Sequence, residues 1–461
     1  MTLPGHRRFR LPACLLAIML LATACGDAQP PVLPSPSVPV APPAAAAPTP
    51  ATGDVLPAPG SDSAVYGPNP GAVVVAIDPG HGGCLDWGVP DPQQRGEEFS
   101  EKAINLAIAE ALRARLEAEG VTVVILREGD VALAGDLYPE LGCQGEPWRD
   151  VNGDGVAGFG PDVPEATRTR DELQARLDLA NLARADALIS IHVDSIADAA
   201  GNLLPIARTE TFYTDETPWG ASETERLAAE LQAAVVSSMA AVAGYDRQDR
   251  GLRAHNLYIV APPLFETTPE RDDPLRQPTR GALMPTVLVE VGSITLPAEH
   301  ELLLTADGVN AAAVGLFDGL AAYFAERQLA ARIEPVPVDG PPDQVPGDGP
   351  PFWPGVLADQ AVAPFVVRVV NTGQQDWPSD LRLLAGWEAA EEPYLAAPPS
   401  TLAPLDVDVP ALGPGESVEL RIRLEEPLGG ARHVAWITLA DGDRTLADLG
   451  SPALQLGTQA P

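Results

Sequence analysis

Apolar and polar positions follow two different rhythms along this chain, and the change of rhythm divides it. Val73–Ile77 is a continuous run rich in β-branched residues, the pattern of a strand covered on both faces. Similar runs at Val121–Leu126, Ala187–His192 and Thr286–Val291 predict three more strands. Between them lie stretches of helical spacing at Glu101–Glu119, Arg168–Ala185, Glu223–Ala243 and Gly308–Arg327. In the first of these, Ile104, Leu106, Ile108, Leu112 and Leu116 carry the spacing, and Gly120 ends the helix. Alternation of this kind predicts an α/β fold, a mostly parallel sheet flanked by helices, over residues 72–332.

After residue 354 the rhythm becomes short and alternating. Phe365–Val370, Leu381–Ala385, Val418–Leu424 and Val434–Leu439 are separated by Asn-Thr-Gly, Gly-Pro-Gly and Gly-Gly signals. This predicts a small all-β sandwich over residues 355–457, joined by a linker at 333–354 dense in Pro, Gly and Asp. Three stretches break the α/β rhythm and read as loops: Glu128–Thr167, Ile196–Thr209 and Ala261–Leu283. The last stands just before the Thr286 strand and is a candidate gate.

The beginning of the chain has a different character. His6-Arg7-Arg8-Phe9-Arg10 precedes an apolar stretch, Leu11 to Ala24, too short to span a bilayer comfortably. That is signal-peptide architecture over residues 1–24. Its end, Leu-Ala-Thr-Ala-Cys-Gly, resembles a bacterial lipobox with Cys25 as the acylated residue and the membrane as a partner. Ala22 stands where leucine is commoner, so release as a secreted protein is the alternative. Residues 25–71, rich in Pro, Ala and Ser, read as an extended tether. The localisation expected is outside the cytoplasm.

Composition sharpens this picture in two ways. A net charge of −35 over 461 residues argues against nucleic acid as a partner. Only Cys84 and Cys143 remain in the folded part, and in an oxidising compartment they can pair or stand as two free thiols.

The candidate chemistry gathers where strands end and helices begin. His81 follows the first strand in Asp78-Pro79-Gly80-His81-Gly82-Gly83, at the sheet edge where α/β folds place ligands. Glu101 opens the first predicted helix, His192 ends the strand Ile189-Ser190-Ile191, and Glu290 ends Val287-Leu288-Val289. Two neutral imidazoles and one carboxylate make a catalytic zinc site with a position left for water. A further carboxylate can carry that water's proton to a leaving amine. The set therefore supplies ligands in His81, Glu101 and His192, and an acid/base in Glu290. Each residue also has a plainer role open to it. Glu101 is favoured at a helix start by the dipole alone, and His192 fits a satisfied core position. Glu290 is harder to place so, because a lone buried carboxylate is costly.

These residues stand in pieces that resemble the zinc-dependent N-acetylmuramoyl-L-alanine amidases of the Amidase_3 type. The pieces are Ile77–Gly83, Glu101-Lys102 with Asn105-Leu106, Arg176–Asn181, Ala185–His192, Arg250-Gly251 and Pro285–Gly292. The resemblance implies one zinc ion on His81, Glu101 and His192, and Glu290 as the catalytic acid/base. The implied substrate is peptidoglycan, cut at the amide between the lactyl group of N-acetylmuramic acid and L-alanine, in wall remodelling or cell separation. Two departures bear on substrate preference: Asp194 where asparagine is common, and Ser293 where an aromatic residue is common.

The C-terminal part resembles a tryptophan-containing Ig-like sandwich, through Val370–Gly373, Trp377-Pro378, Leu412–Val418 and Trp436. Its tryptophans are expected in the core, and its role would be a spacer or a module for a protein partner. Asp150-Val151-Asn152-Gly153-Asp154-Gly155 opens like a calcium loop, with Asp150, Asn152 and Asp154 as donors, although Pro161 holds the place of the usual glutamate. A plain Asx/Gly turn is the other reading. Two rival functions remain to be tested: a thiol hydrolase using Cys84 with His81, and an amidase-like protein that binds the wall without cutting it.

Overall fold

The computed structural model describes Tyr66 and residues 69–153, 155–157, 169–198, 200–217, 219–261, 280–336, 356–357, 365–390, 398–424 and 433–458. The expected signal peptide, most of the tether, Asp154 and most of the candidate gate lie outside these residues. Every described residue falls within one compact unit, Ser61–Pro461.

The α/β part holds one six-stranded sheet. Its strands are β1 (Val74–Pro79), β2 (Thr122–Ile125), β5 (Ala187–Asp194), β6 (Arg208–Tyr213), β7 (Gln248–Ala254) and β8 (Thr286–Ser293). A short hairpin, β3 (Leu137–Tyr138) with β4 (Cys143–Gln144), stands apart from it. The sheet order is β2-β1-β5-β8-β6-β7. The first four of these run parallel, β6 is antiparallel to β8, and β7 is parallel to β6. The helices are α1 (Glu101–Ala118), α2 (Arg170–Leu182), α3 (Ala221–Val242), α4 (Pro297–Leu303) and α5 (Ala306–Ala325). The mostly parallel sheet flanked by helices is as the sequence rhythm predicts; β6, β7 and α4 are additions to it.

Strand alternation sends side chains to two faces. Val75, Ile77, Ile189, Ile191, Val287 and Val289 join the core with α1, α3 and α5. Val74, Ala76, Leu188 and Leu288 join a smaller core that includes Leu177 and Ala180 of α2. α1 ends as the sequence predicts, with Gly120 at φ 85°, a left-handed position that suits glycine. α5 is apolar and long enough to cross a membrane by composition, yet 61% of it is buried within the fold, as befits a core helix.

The β part holds two sheets, one of six strands and one of three. Its main strands are β9 (Ala331–Val336), β11 (Phe365–Asn371), β12 (Arg382–Ala389), β14 (Ser417–Ile422), β15 (His433–Asp441) and β17 (Leu454–Thr458). The short members are β10 (Val356–Leu357), β13 (Ala403–Pro404) and β16 (Arg444–Thr445). Residues of both sheets share one core, with Val367, Leu383, Ile437 and Leu454 fully buried. β9 corrects the expected linker start: Ile333–Val336 is an edge strand paired antiparallel to β11. Pro335 is tolerated because an edge strand has one unpaired side.

The two parts are tied through buried polar and aromatic contacts. Asp186, just before β5, accepts from Val74 N (3.0 Å), Arg327 Nη1 (3.1 Å) and Thr372 Oγ1 (3.1 Å). Trp377 is core, as expected. Trp436 instead packs against Trp219 of the α/β part, with ring centroids 5.2 Å apart and Leu283 beside them. Trp436→Ala therefore destabilises the described unit by about 3 kcal/mol, read as a lowered denaturant midpoint.

Candidate metal centre

Three donors converge above the carboxyl ends of β1 and β5. The turn after β1 presents His81, held at φ 62°, a left-handed conformation that costs a non-glycine residue of order 1–3 kcal/mol. Buried guanidinium groups hold that turn by its carbonyls. Arg127 Nε donates to Pro79 O (2.8 Å), its Nη2 to Gly80 O (3.2 Å), and Arg176 Nη2 to His81 O (2.8 Å). His81 Nδ1 meets Asp86 Oδ1 at 2.7 Å, so with that proton donated to Asp86 the Nε2 lone pair is left for a ligand. Gly80 leaves room for the second histidine: a Cβ there would stand 2.3 Å from His192 Nε2.

Glu101 is the first residue of α1 and nearly fully buried. Its Oε1 lies 3.2 Å from His81 Nε2 and 3.0 Å from His192 Nδ1, and Oε2 accepts from Val89 N at 2.8 Å. Ligand atoms of His81, Glu101 and His192 all lie within 4.8 Å of one another. The charges of this cluster attract a cation, and without a metal ion that cation is the proton. Burial by itself would lower the pKa of His81, but the charge of Glu101 and the Asp86 hydrogen bond outweigh it and take it to about 10. Burial would raise Glu101, yet the charge of His81 and the hydrogen bond to His192 hold it well below the usual carboxylate range. Two imidazoles around a buried carboxylate, with no Lys or Arg among the three, are a donor set that suits a small divalent cation.

Glu290 lies beside this set. It is the direct register neighbour of His192 across β5 and β8, so both side chains project from the sheet face that carries α2. Burial, then the charge of Glu101, push its carboxyl well above the ordinary range. Its Oε2 is buried and finds no hydrogen-bond partner among the described residues. All four residues singled out in the sequence therefore meet at one place.

Other candidates resolve differently. Cys84 is bonded to Cys143, with Cα atoms 5.8 Å apart, so it has no free thiol for nucleophilic chemistry and the thiol-hydrolase reading falls. The bridge joins the His81 turn to the β3–β4 hairpin. Replacing both cysteines with serine lowers the unfolding free energy by about 2–4 kcal/mol, measured by denaturant titration. Calcium finds no support: both Asp150 oxygens accept backbone N–H groups, from Gly153 (2.7 Å) and Gly155 (2.8 Å), as in an Asx turn. Asn152 is buried, its N–H bonded to Asp171. Asp194 pairs with Arg208, and Ser293 Oγ meets Thr295 Oγ1 at 2.7 Å. Sequence reasoning missed Asp86, Arg208, Glu210 and Arg253. The alternation in Arg208-Thr-Glu210-Thr-Phe212-Tyr was the available signal for the last strand face before Glu290.

Comparison with known proteins decides the family. Residues 75–322 match Amidase_3, N-acetylmuramoyl-L-alanine amidase. The chain belongs to that family. Its function is accordingly that of a peptidoglycan amidase, a hydrolase of amide bonds. Among curated relatives, the germination-specific N-acetylmuramoyl-L-alanine amidase of Bacillus subtilis is 24% identical over 254 residues, covering 55% of this chain and 81% of that one. The N-acetylmuramoyl-L-alanine amidase LytC of Bacillus subtilis is 24% identical over 250 residues, 54% of this chain and 35% of its own length. Among solved structures, an N-acetylmuramoyl-L-alanine amidase from Clostridium difficile 630 is similar at 24% identity and a TM-score of 0.37, covering 56% of this chain and 99% of that one.

Proposed function

We propose that this amidase is zinc-dependent, with His81, Glu101 and His192 as the ligands and Glu290 as the general acid/base. The bond cut is the amide joining the lactyl group of N-acetylmuramic acid to L-alanine. The observation that carries this reading is the convergence of three nitrogen and oxygen donors within 4.8 Å, beside a carboxylate whose buried Oε2 has no hydrogen-bond partner among the described residues. When bound, zinc supplies a Lewis acid that polarises the carbonyl and acidifies water. Asp86 keeps the Nδ1 proton of His81 and so fixes the ring's tautomer and direction. Glu290, whose raised pKa makes its carboxylate the stronger base, takes the proton from the attacking water and passes it to the alanine nitrogen. The carbon–nitrogen bond breaks, and the products are a lactyl carboxylate and a free stem peptide with an amino terminus.

The remaining assignments belong to the same proposal. Residues 1–24 direct export, Cys25 carries the lipid, and the tether that follows carries the catalytic part from the membrane toward the wall; it ends short of residue 71, since Tyr66 is buried in the α/β core with its hydroxyl on Phe317 O (2.9 Å). The β part is an Ig-like sandwich, which acts as a spacer or a surface for a protein partner; its core and its contact with the α/β part support a role without chemistry of its own.

Product analysis tests the central reading. The purified chain, incubated with peptidoglycan, should release free stem peptides, stop on chelation, and recover when zinc is restored. Retained wall binding with no release would favour the non-catalytic alternative, and release that survives chelation would overturn the metal assignment.

A further inference from the structure

The two flanks of the candidate site differ in chemistry. On one side, β6 alternates Arg208, Glu210 and Phe212 onto the face that carries Glu290, because Glu210 is Glu290's register partner. In β7, Arg253 stands opposite Phe212, with its guanidinium 5.8 Å from that ring and 2.8 Å from Glu210 Oε1. Half of the Arg253 side chain is exposed (50%), so it keeps donors for a ligand after pairing with Glu210. Arg208 bridges Asp194 and Glu210. Arg250 is exposed in β7 and forms no ion pair among the described residues. Burial is the main influence on Arg208, and the neighbouring charges of Arg250 and Arg253 act on it in the same direction. Three arginines thus stand beside the site, with Asp194 and Glu210 among them.

On the other side lies a groove of about 680 Å³ between the Trp87–Gly96 loop and Ser195–Leu203. It borders the centre at Gly88, where a Cβ would stand 2.4 Å from Glu101 Oε2. Trp87, Pro90, Pro92 and Leu203 give it apolar walls, and no Lys or Arg lines it. A neutral saccharide suits such a wall, where an aromatic face can meet sugar C–H groups. A carboxylate suits the arginine side, because a guanidinium can hold both of its oxygens.

We propose that the Arg208–Arg253 face is the subsite for a carboxylate of the stem peptide, and that the saccharide side of the substrate enters the Trp87–Leu203 groove. The inference rests on the amidase reading above and adds the direction in which substrate lies across the centre. Arg253 is its exposed anchor; Arg208 shapes the face from beneath.

The test uses the full chain and two muramoyl tripeptides that differ only at the second residue, whose carboxylate is free in one and amidated in the other. Wild type should favour the free acid about tenfold in kcat/KM, through KM. Arg253→Gln should bring the ratio near one, and Arg253→Glu should reverse it. The ratio does not depend on how much of a variant is folded. Equal treatment of both substrates by wild type, or a preference that survives in both variants, would overturn the subsite while leaving the amidase intact. Cleavage of neither substrate by wild type would overturn the amidase reading and this one with it.

Discussion

Glu290→Gln lowers kcat for stem-peptide release by about a thousandfold or more, while KM, metal content and thermal stability stay near wild type. General acid–base catalysis contributes roughly 10²–10⁴ in rate, and here one carboxylate serves both the attacking water and the leaving nitrogen. Glutamine keeps the shape of the side chain. It also meets a setting that already disfavours charge, since burial and Glu101 both push the Glu290 proton on. The unpartnered Oε2 means that few protein contacts are lost on substitution. Loss of kcat with KM unchanged marks an interaction made in the transition state. A variant within tenfold of wild-type kcat would remove Glu290 from the chemistry.

Arg176→Ala unfolds or severely weakens the α/β part, by about 3–5 kcal/mol, and lowers metal affinity in whatever folds. Arg176 is 1% exposed and spans the fold beneath the centre. Its Nη1 donates to Asp78 Oδ1 (2.5 Å) and Pro79 O (2.8 Å), and its Nη2 to His81 O (2.8 Å) and Glu172 Oε1 (2.8 Å). Truncation leaves the Asp78 and Glu172 carboxylates buried without their cation, which is the expensive way to break a buried pair. Asp78 is held below the usual range against burial chiefly by the charge of Arg176. Ser190 Oγ, at 2.6 Å from Asp78, cannot replace that charge. The same loss frees the His81 carbonyl, and with it the turn that keeps the histidine left-handed. Denaturant unfolding and zinc titration of the variant check both parts. A fully stable variant with wild-type zinc affinity would show that Arg127 alone secures the turn.

The site was legible in the sequence where it stands on buried strands. Val73–Ile77, Ala187–Ile191 and Thr286–Val289 carry unbroken apolar runs, and a polar residue closing such a run is conspicuous. What holds those residues was not legible. Nothing local to Arg127 or Arg176 shows that a distant carbonyl or carboxylate will desolvate with them. β7 escaped notice because six of its seven residues are exposed, so it has no apolar periodicity to display. β6 is half-polar and antiparallel in an otherwise parallel rhythm, and its alternation appears only once Glu290 is its neighbour. β9 was hidden by Pro335 and by its nearness to a Pro-rich stretch. Trp436 illustrates the opposite error: a tryptophan in a strand was expected to fill its own sandwich and instead meets Trp219 across the molecule.

The central claim is that His81, Glu101 and His192 form one metal site, and zinc content measures it most directly. Elemental analysis of the purified chain should give one zinc per molecule in wild type and in Glu290→Gln. His81→Ala and His192→Ala should each lose it while retaining the wild-type circular dichroism spectrum. Folded, active wild-type protein without bound metal, or zinc retained at full occupancy after both histidines are replaced, would contradict the account.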